Sequence, residues 1–361
     1  MKNTFKSLWL LLFLIAHPVS ADEFLPTTLL KLDPFFTHHI LVAEKSTHQL
    51  HLFKNEDGLP KKVKTFEVAT GKRAGNKFLQ GDHRTPEGVY RLTEFLTHQD
   101  LLKRHGVEVG AIYGVGAFVM DYPNPIDTLA GKTGGGIWVH STNDETRIDK
   151  GLDSRGCIVS TNKDLIELSQ YIELQRSSVV VVQDLTYLKK DSWQKNRQEI
   201  EGVLEGWLTA WRNLDLQAYL SYYSPNPFYD PVRKNFEAFK AHKRAVFQQP
   251  TKPLIDAQHL SIIGSGSNTD DYLMVSFIQK YQSATLNDIG RKTLYLKRDS
   301  QFRWKIVAEM WSKHGIPEET EQDQLAQFTP SMRFFESRDP AQILQVDFRQ
   351  RNQSNTSQLN E

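Results

Sequence analysis

The chain has 361 residues, 39% of them hydrophobic and 11% aromatic, so it can bury more than one core and two globular domains are expected. Its 44 Lys and Arg against 43 Asp and Glu leave a formal charge of +1, which gives no footing for a nucleic-acid or anionic-membrane partner. The single cysteine, Cys157, excludes an intramolecular disulfide framework.

Residues 1–21 read as a secretion signal: Lys2 and Lys6 precede the apolar run Leu8–Ala16, and Val19-Ser20-Ala21 supplies the small residues of a cleavage site after Ala21. The apolar run is short for a bilayer span and no longer one follows, so an exported protein with no retained membrane anchor is expected. Residues 22–37 form an N-terminal segment. From Ile40 to Phe53 two short strands flank a polar turn at Lys45–His48, and Lys64–Thr70 gives a third that stops at Gly71. Thr85-Pro86 and Gly88 sit between a loop and a strand, and Leu96–Gly106 is a helical insertion. Ala117–Asp121 and Ile137–His140 are further apolar segments, joined through the glycine-rich Gly131–Gly136. Val179–Val182 reads as a buried last strand, which ends a mainly β domain at about residue 184.

Residues 185–198 turn polar and are expected to be a linker. Ile200, Val203, Leu204, Trp207, Leu208 and Trp211 then recur at helical spacing, and Asp215 can cap a second helix over Leu216–Tyr223. Strands are expected at Tyr272–Gln282, Lys292–Arg298 and Phe302–Trp311, the last two joined by Asp299-Ser300-Gln301. Helices followed by a curling antiparallel sheet make 199–315 an α+β domain. Residues 316–361 are Gln/Asn/Ser-rich, and a polar, partly disordered tail is expected.

The chemistry concentrates in Ile137–Asn162. A thiol attacks as its thiolate and a histidine can take its proton, so Cys157 with His140 is a minimal acyl-transfer pair. An inert buried cysteine is the competing reading. Gly156 allows backbone N–H groups near the thiol to face a developing oxyanion. His140, Asp144, Asp149, Asp153 and Cys157 form no recognised zinc spacing, and neither metal nor cofactor is expected. Histidine before cysteine at short range differs from the papain order and from the long caspase interval. Gly131-Lys132-Thr133 lacks the upstream glycine of a phosphate loop, since Ile126 stands there.

Ile137-Trp138-Val139-His140 followed by Ser154-Arg155-Gly156-Cys157-Ile158 resembles the catalytic signature of the YkuD-type L,D-transpeptidases, supported by Thr70-Gly71-Lys72 and by Gly81-Asp82 with Arg84-Thr85-Pro86-Glu87-Gly88. The resemblance spans roughly residues 36–183. It implies a β-sandwich-like catalytic domain over 38–184 that attacks the diaminopimelate–D-alanine bond of peptidoglycan stem tetrapeptides in the periplasm, at the cell wall. It implies Cys157 as nucleophile, His140 as base, and the Ser141 carbonyl as the group that orients the histidine, in a position where many members have glycine. Ser154, Arg155, Gly156 and Trp138 would shape the substrate and oxyanion side. Arg155 could pair with a substrate carboxylate or simply be solvated. Many cross-linking members carry arginine where Val159 stands, and Tyr122-Pro123-Asn124-Pro125 and Gly131–Trp138 look like the subgroup of cell-shape L,D-carboxypeptidases. Hydrolysis by water is therefore expected. The alternatives are L,D-transpeptidation, as a 3–3 cross-link or attachment or release of a protein, and a non-catalytic wall-binding scaffold.

The aromatic spacing of the second domain, Trp207, Trp211, Tyr219 and Tyr222, then Tyr281, Tyr295, Trp304 and Trp311, resembles the nuclear-transport-factor-two-like (SnoaL-like) cone fold. Such a domain implies a pocket for glycan or peptide, with Tyr219, Tyr222, Tyr281 and Trp311 as candidate lining. The oligomeric state is left open, a homodimer included.

Overall fold

A computed structural model describes residues 24–267, 271–313, 316 and 328–345. The signal-peptide reading falls outside these residues, and so does much of the tail. Among the described residues no helix is long and apolar enough to cross a membrane.

The first two strands, β1 (Phe24–Pro26) and β2 (Leu29–Lys31), are followed by the first domain: β3 (His39–Glu44), β4 (Gln49–Glu56), β5 (Leu59–Glu67), β6 (Thr70–Gly71), β7 (Gly88–Thr97), α1 (His98–Ala111), β8 (Gly116–Met120), α2 (Pro125–Leu129), β9 (Trp138–His140), α3 (Thr146–Asp149), β10 (Leu152–Ser154), β11 (Ile158–Val159), α4 (Asn162–Ser169) and β12 (Ser178–Val182). The second domain runs β13 (Tyr187–Lys189), α5 (Lys190–Arg212), α6 (Leu216–Ser221), α7 (Phe236–Phe247), β14 (Leu254–Gly264), β15 (Leu273–Gln282), β16 (Asn287–Arg298) and β17 (Trp304–Ser312), and α8 (Pro340–Ile343) lies beyond it.

Eight strands of the first domain are ordered β11-β9-β8-β7-β12-β3-β4-β5. β7 serves both halves: Gly88–Arg91 pair with β12, and beyond a register shift at Leu92 the rest pairs with β8. The β3–β4 hairpin turns at residues 45–48, where His48 takes φ 55°, while Lys45 of that turn is buried against Glu87 at 2.9 Å. The insertion helix starts at His98 because Thr97 and Asp100 form a reciprocal capping box, and Gly106 at φ 79° breaks it.

The run Ser178–Val182 is wholly buried because both faces of its sheet are covered. Val179 and Val181 join Leu41, Leu50, Leu52, Tyr90 and Phe118 in the core of the first domain, whereas Val180 and Val182 face Ile263, Met274, Tyr295 and Val307 of the second. Each buried valine contributes roughly 1.5–3 kcal/mol relative to an exposed one. The second sheet, ordered β17-β16-β15-β14-β2, alternates likewise: its other face packs Ile262, Val275, Phe277 and Leu294 under Ile200, Leu204, Trp207 and Trp211 of α5. The N-terminal segment thus supplies an edge strand to the second domain, and Trp193 Nε1 donates to the carbonyls of Pro26 and Leu29.

Two segments carry more regular contacts than their composition suggests. The linker is helical from Lys190, because α5 begins about ten residues before its apolar stripe and buries Trp193. Residues 328–345 of the tail pack onto the first domain: Phe335 and Phe334 lie against Phe95 and Phe118, and Phe328 stacks on His38 at 3.7 Å. These aromatic residues are an apolar island in a polar composition.

Candidate active site

β9 and β11 run parallel with Ile158 opposite Val139 and Val159 opposite His140, so one step earlier Cys157 lies level with Trp138 on the side of the sheet that carries His140. His140 Nδ1 donates to the carbonyl of Ser141 at 2.5 Å. A carbonyl only accepts, so Nδ1 carries the proton and Nε2 keeps its lone pair. Burial pushes the imidazole down to about 4, partly offset by the Ser141 carbonyl, with Arg147 adding to the depression. Burial pushes the Cys157 thiol up to about 11, against the Trp138 N–H and the positive charges of Arg147 and Lys77. At neutral pH both groups are neutral, Cys157 as the thiol and His140 as the imidazole. Cys157 is nevertheless partly exposed, and its Sγ lies 3.6 Å from the Gly136 carbonyl.

Serine at 141 fits without strain: its φ is not positive, and its hydroxyl accepts from Val115 N at 2.8 Å and donates to Tyr113 O at 3.2 Å. Asn162 Oδ1 accepts from the same Val115 N–H at 3.0 Å, and Nδ2 donates to Thr142 O at 2.8 Å. The chain leaving His140 is therefore bonded on both sides. Ser154 is buried and donates to Cys157 O at 2.6 Å while accepting from Gly156 N at 3.0 Å. That second bond corrects one expectation, since the Gly156 N–H is committed to Ser154 and is not turned to an oxyanion. Gly156 is required sterically: it takes φ 129°, and a Cβ there would lie 2.8 Å from Arg84 O. Gly71 has the same role, because its Cβ would meet the 83–85 backbone at 2.4 Å. Thr70-Gly71-Lys72 runs beside β10, with Lys72 N donating to Ser154 O at 2.8 Å.

Trp138 is partly buried, its ring 4.9 Å from Tyr113 and 5.8 Å from His105. Arg155 is exposed and makes no ion pair among the described residues. Val159 is buried with Ala69 and Ile148. Two neighbours of the pair carry no signal in the sequence: Tyr113, edge-on to His140 at 5.0 Å, and Arg147. Among the described residues no three His, Cys, Asp or Glu side chains are grouped to hold a metal ion.

A family model of the L,D-transpeptidase catalytic domain matches residues 38–182, and one of the Cds6 C-terminal NTF2-like domain matches 199–310. The chain carries an L,D-transpeptidase catalytic domain. Among solved structures it is similar to Bd1075 of Bdellovibrio bacteriovorus, at 28% identity and a TM-score of 0.68, over 80% of this chain and 98% of that one. It is similar as well to the helical cell shape determining protein Pgp2 of Campylobacter jejuni, at 28% identity and a TM-score of 0.60, over 78% and 95% of the two chains. A comparison with curated protein sequences found no match.

The NTF2-like domain that follows the L,D-transpeptidase domain holds a cavity of about 420 Å³ lined by Trp211, Lys243, Gln279, Tyr281, Lys292, Glu309 and Trp311 among others. Of the candidate aromatic residues, Tyr281 and Trp311 line it. Tyr219 lies deeper, its hydroxyl 2.6 Å from that of Tyr223, and Tyr222 packs outside it over Gly206. Glu309 bonds Lys292 at 2.5 Å and Lys243 at 3.5 Å, and accepts from Tyr223 at 2.6 Å. These partners hold the Glu309 carboxyl far below its usual range despite burial, while burial pushes Lys243 down to about 8. Two buried ammonium groups face one carboxylate.

Proposed function

We propose that the protein is a peptidoglycan L,D-carboxypeptidase. The observation that carries this reading is the hydrogen bond from His140 Nδ1 to the Ser141 carbonyl, which leaves Nε2 as the base on the face of the sheet where Cys157 stands. The imidazole takes the thiol proton as the sulfur attacks the carbonyl of the L-centre of diaminopimelate. With Gly156 N–H committed, the Cys157 N–H is the backbone donor for the oxyanion. Collapse expels D-alanine, whose amine takes the proton from the imidazolium, and a thioester remains. Water, deprotonated by His140, then releases the tripeptide and restores the thiol. Valine at 159, apolar and buried, favours water over an amine acceptor in this reading. Incubation with disaccharide-tetrapeptide tests it: tripeptide and free D-alanine are expected, and cross-linked dimers or no product would overturn the hydrolytic assignment.

The NTF2-like cavity fits a second contact with the same polymer. Lys243 and Lys292, two ammonium groups sharing Glu309, offer donors to a carboxylate of a stem peptide, and the aromatic walls match the apolar face of a sugar. Lys243→Met leaves a balanced Lys292–Glu309 pair. The expected outcome is weaker pelleting with intact sacculi and unchanged kcat on the soluble tetrapeptide, with binding of the wild type falling as pH rises through about 8. Unchanged pelleting would remove the cavity from the reading. The likeness to Pgp2, named as a cell-shape determinant, makes trimming for cell shape the corresponding role.

A further inference from the structure

Between His140 and Cys157 the chain makes a loop whose two ends have to stay in register for the pair to meet. Arg147 lies mid-loop on α3. Its Nε donates to Asp153 Oδ2 at 2.5 Å and its Nη1 to Thr142 Oγ1 at 3.2 Å, so one planar guanidinium grips both ends. Thr142 is two residues after His140, and Asp153 lies immediately before Ser154, whose hydroxyl holds Cys157 O. The arginine side chain is only 15% exposed and Asp153 16%, a setting in which such a bond survives solvent competition. The short helix is fixed from its other side, where Ile148 packs with Val159 and Ala69, and Ala69 and Val159 exchange two backbone bonds of 2.8 Å.

We propose that Arg147 is a positioning residue of the Cys157–His140 site, clasping Thr142 and Asp153 so that the loop holds sulfur and imidazole together and keeps one fixed positive charge beside the thiol. It rests on Cys157 being the nucleophile. The charged or titratable groups that interact with it are Asp153 on β10, Asp144 before α3, and Tyr113, His140 and Cys157 across the site. Lys77 acts on the same thiol from the opposite wall.

The test measures alkylation of Cys157 by iodoacetamide from pH 6 to 11 together with tetrapeptide turnover, in the full-length mature protein. Arg147→Met is expected to slow alkylation at pH 8 by about tenfold and to move the profile upward by about one pH unit, because one unit is a tenfold change in thiolate. Arg147→Lys keeps the charge without the fork, so its alkylation profile should return toward wild type while kcat stays low. Thr142→Val removes one arm and should lower kcat at constant KM. An Arg147→Met profile superimposable on wild type, with kcat unchanged, overturns the proposal. Should that variant fail to fold, the Lys and Val variants decide between the same two outcomes. A wild-type enzyme with no turnover would instead remove the assignment of the nucleophile, which the alkylation profile tells apart from a failure of the clasp.

Discussion

Burial leaves the Cys157 thiol and the His140 imidazole neutral at pH 7, so on the proposed mechanism the reactivity of the thiol is built in the substrate complex. With the thiol held up to about 11, alkylation should rise about tenfold per pH unit from 7 to 10, with no plateau at neutral pH. A plateau below pH 8 would mean a preformed thiolate–imidazolium pair. Ser154→Ala removes the acceptor of Gly156 N–H and the donor to Cys157 O, at about 1–3 kcal/mol for a buried donor left unsatisfied. Its kcat is expected to fall with KM little changed, because the hydroxyl orients Cys157, the proposed nucleophile, and is itself covered. The residues of this site that are consecutive in the chain were legible beforehand, since a strand end, a glycine and a thiol state their chemistry in order. Arg147 and Tyr113 were not, for each acts through a tertiary contact. Ser141, met as a departure from a glycine pattern, turns out to use its hydroxyl for the Val115 turn while its carbonyl remains available.

Elements with strong periodicity or turn chemistry were legible too: the β3–β4 hairpin, the apolar stripe of α5, the cap at Asp215, and the Asp299 turn, where the carboxylate accepts from Gln301 N and Arg303 N. α7 and β14 were not. The burial of β14 is irregular along its length, and α7 buries Lys243, whose charge disguises an inward position. The docked 328–345 segment was hidden by the polar composition around it. Phe335 is 8% exposed in the first-domain core, so Phe335→Ala should destabilise by about 3 kcal/mol, read as a fall in the midpoint of urea unfolding. An unchanged midpoint would mean that the segment is bound too weakly to matter. Tyr272 crosses between domains: its hydroxyl accepts from Val89 N at 2.7 Å and from Asn124 Nδ2 at 2.8 Å. Tyr272→Phe leaves a buried β7 N–H unpartnered.

At the scale of the molecule, two domains expected to be joined by a linker share one core. Ile40, Val42, Phe53, Val89, Val180 and Val182 on one side and Ile263, Met274, Tyr295 and Val307 on the other are almost fully buried against each other. Full-length protein is therefore expected to unfold in one calorimetric transition, and two separated transitions would contradict the shared core. Its acid limb follows from groups on both sides. Burial holds His39 and His140 down to about 4, so the folded state binds fewer protons than the unfolded one between pH 6.5 and 4. Stability present above pH 6.5 is thus lost as pH falls through that window, and Glu309, held below the usual carboxylate range, extends the loss under pH 4.5. Tm should fall steeply as pH is lowered from 7 to 4; a flat Tm across that range would rule this out. The shared core also decides how the second domain can be tested. Cutting after residue 184 bares six apolar side chains on a flat sheet face, which invites aggregation whatever the domain binds. Loss of activity on deletion would then report the missing wall of the core. Lys243→Met leaves that wall intact and alters only the charge of the cavity, so a change in sacculus binding at constant Tm assigns the effect to the pocket.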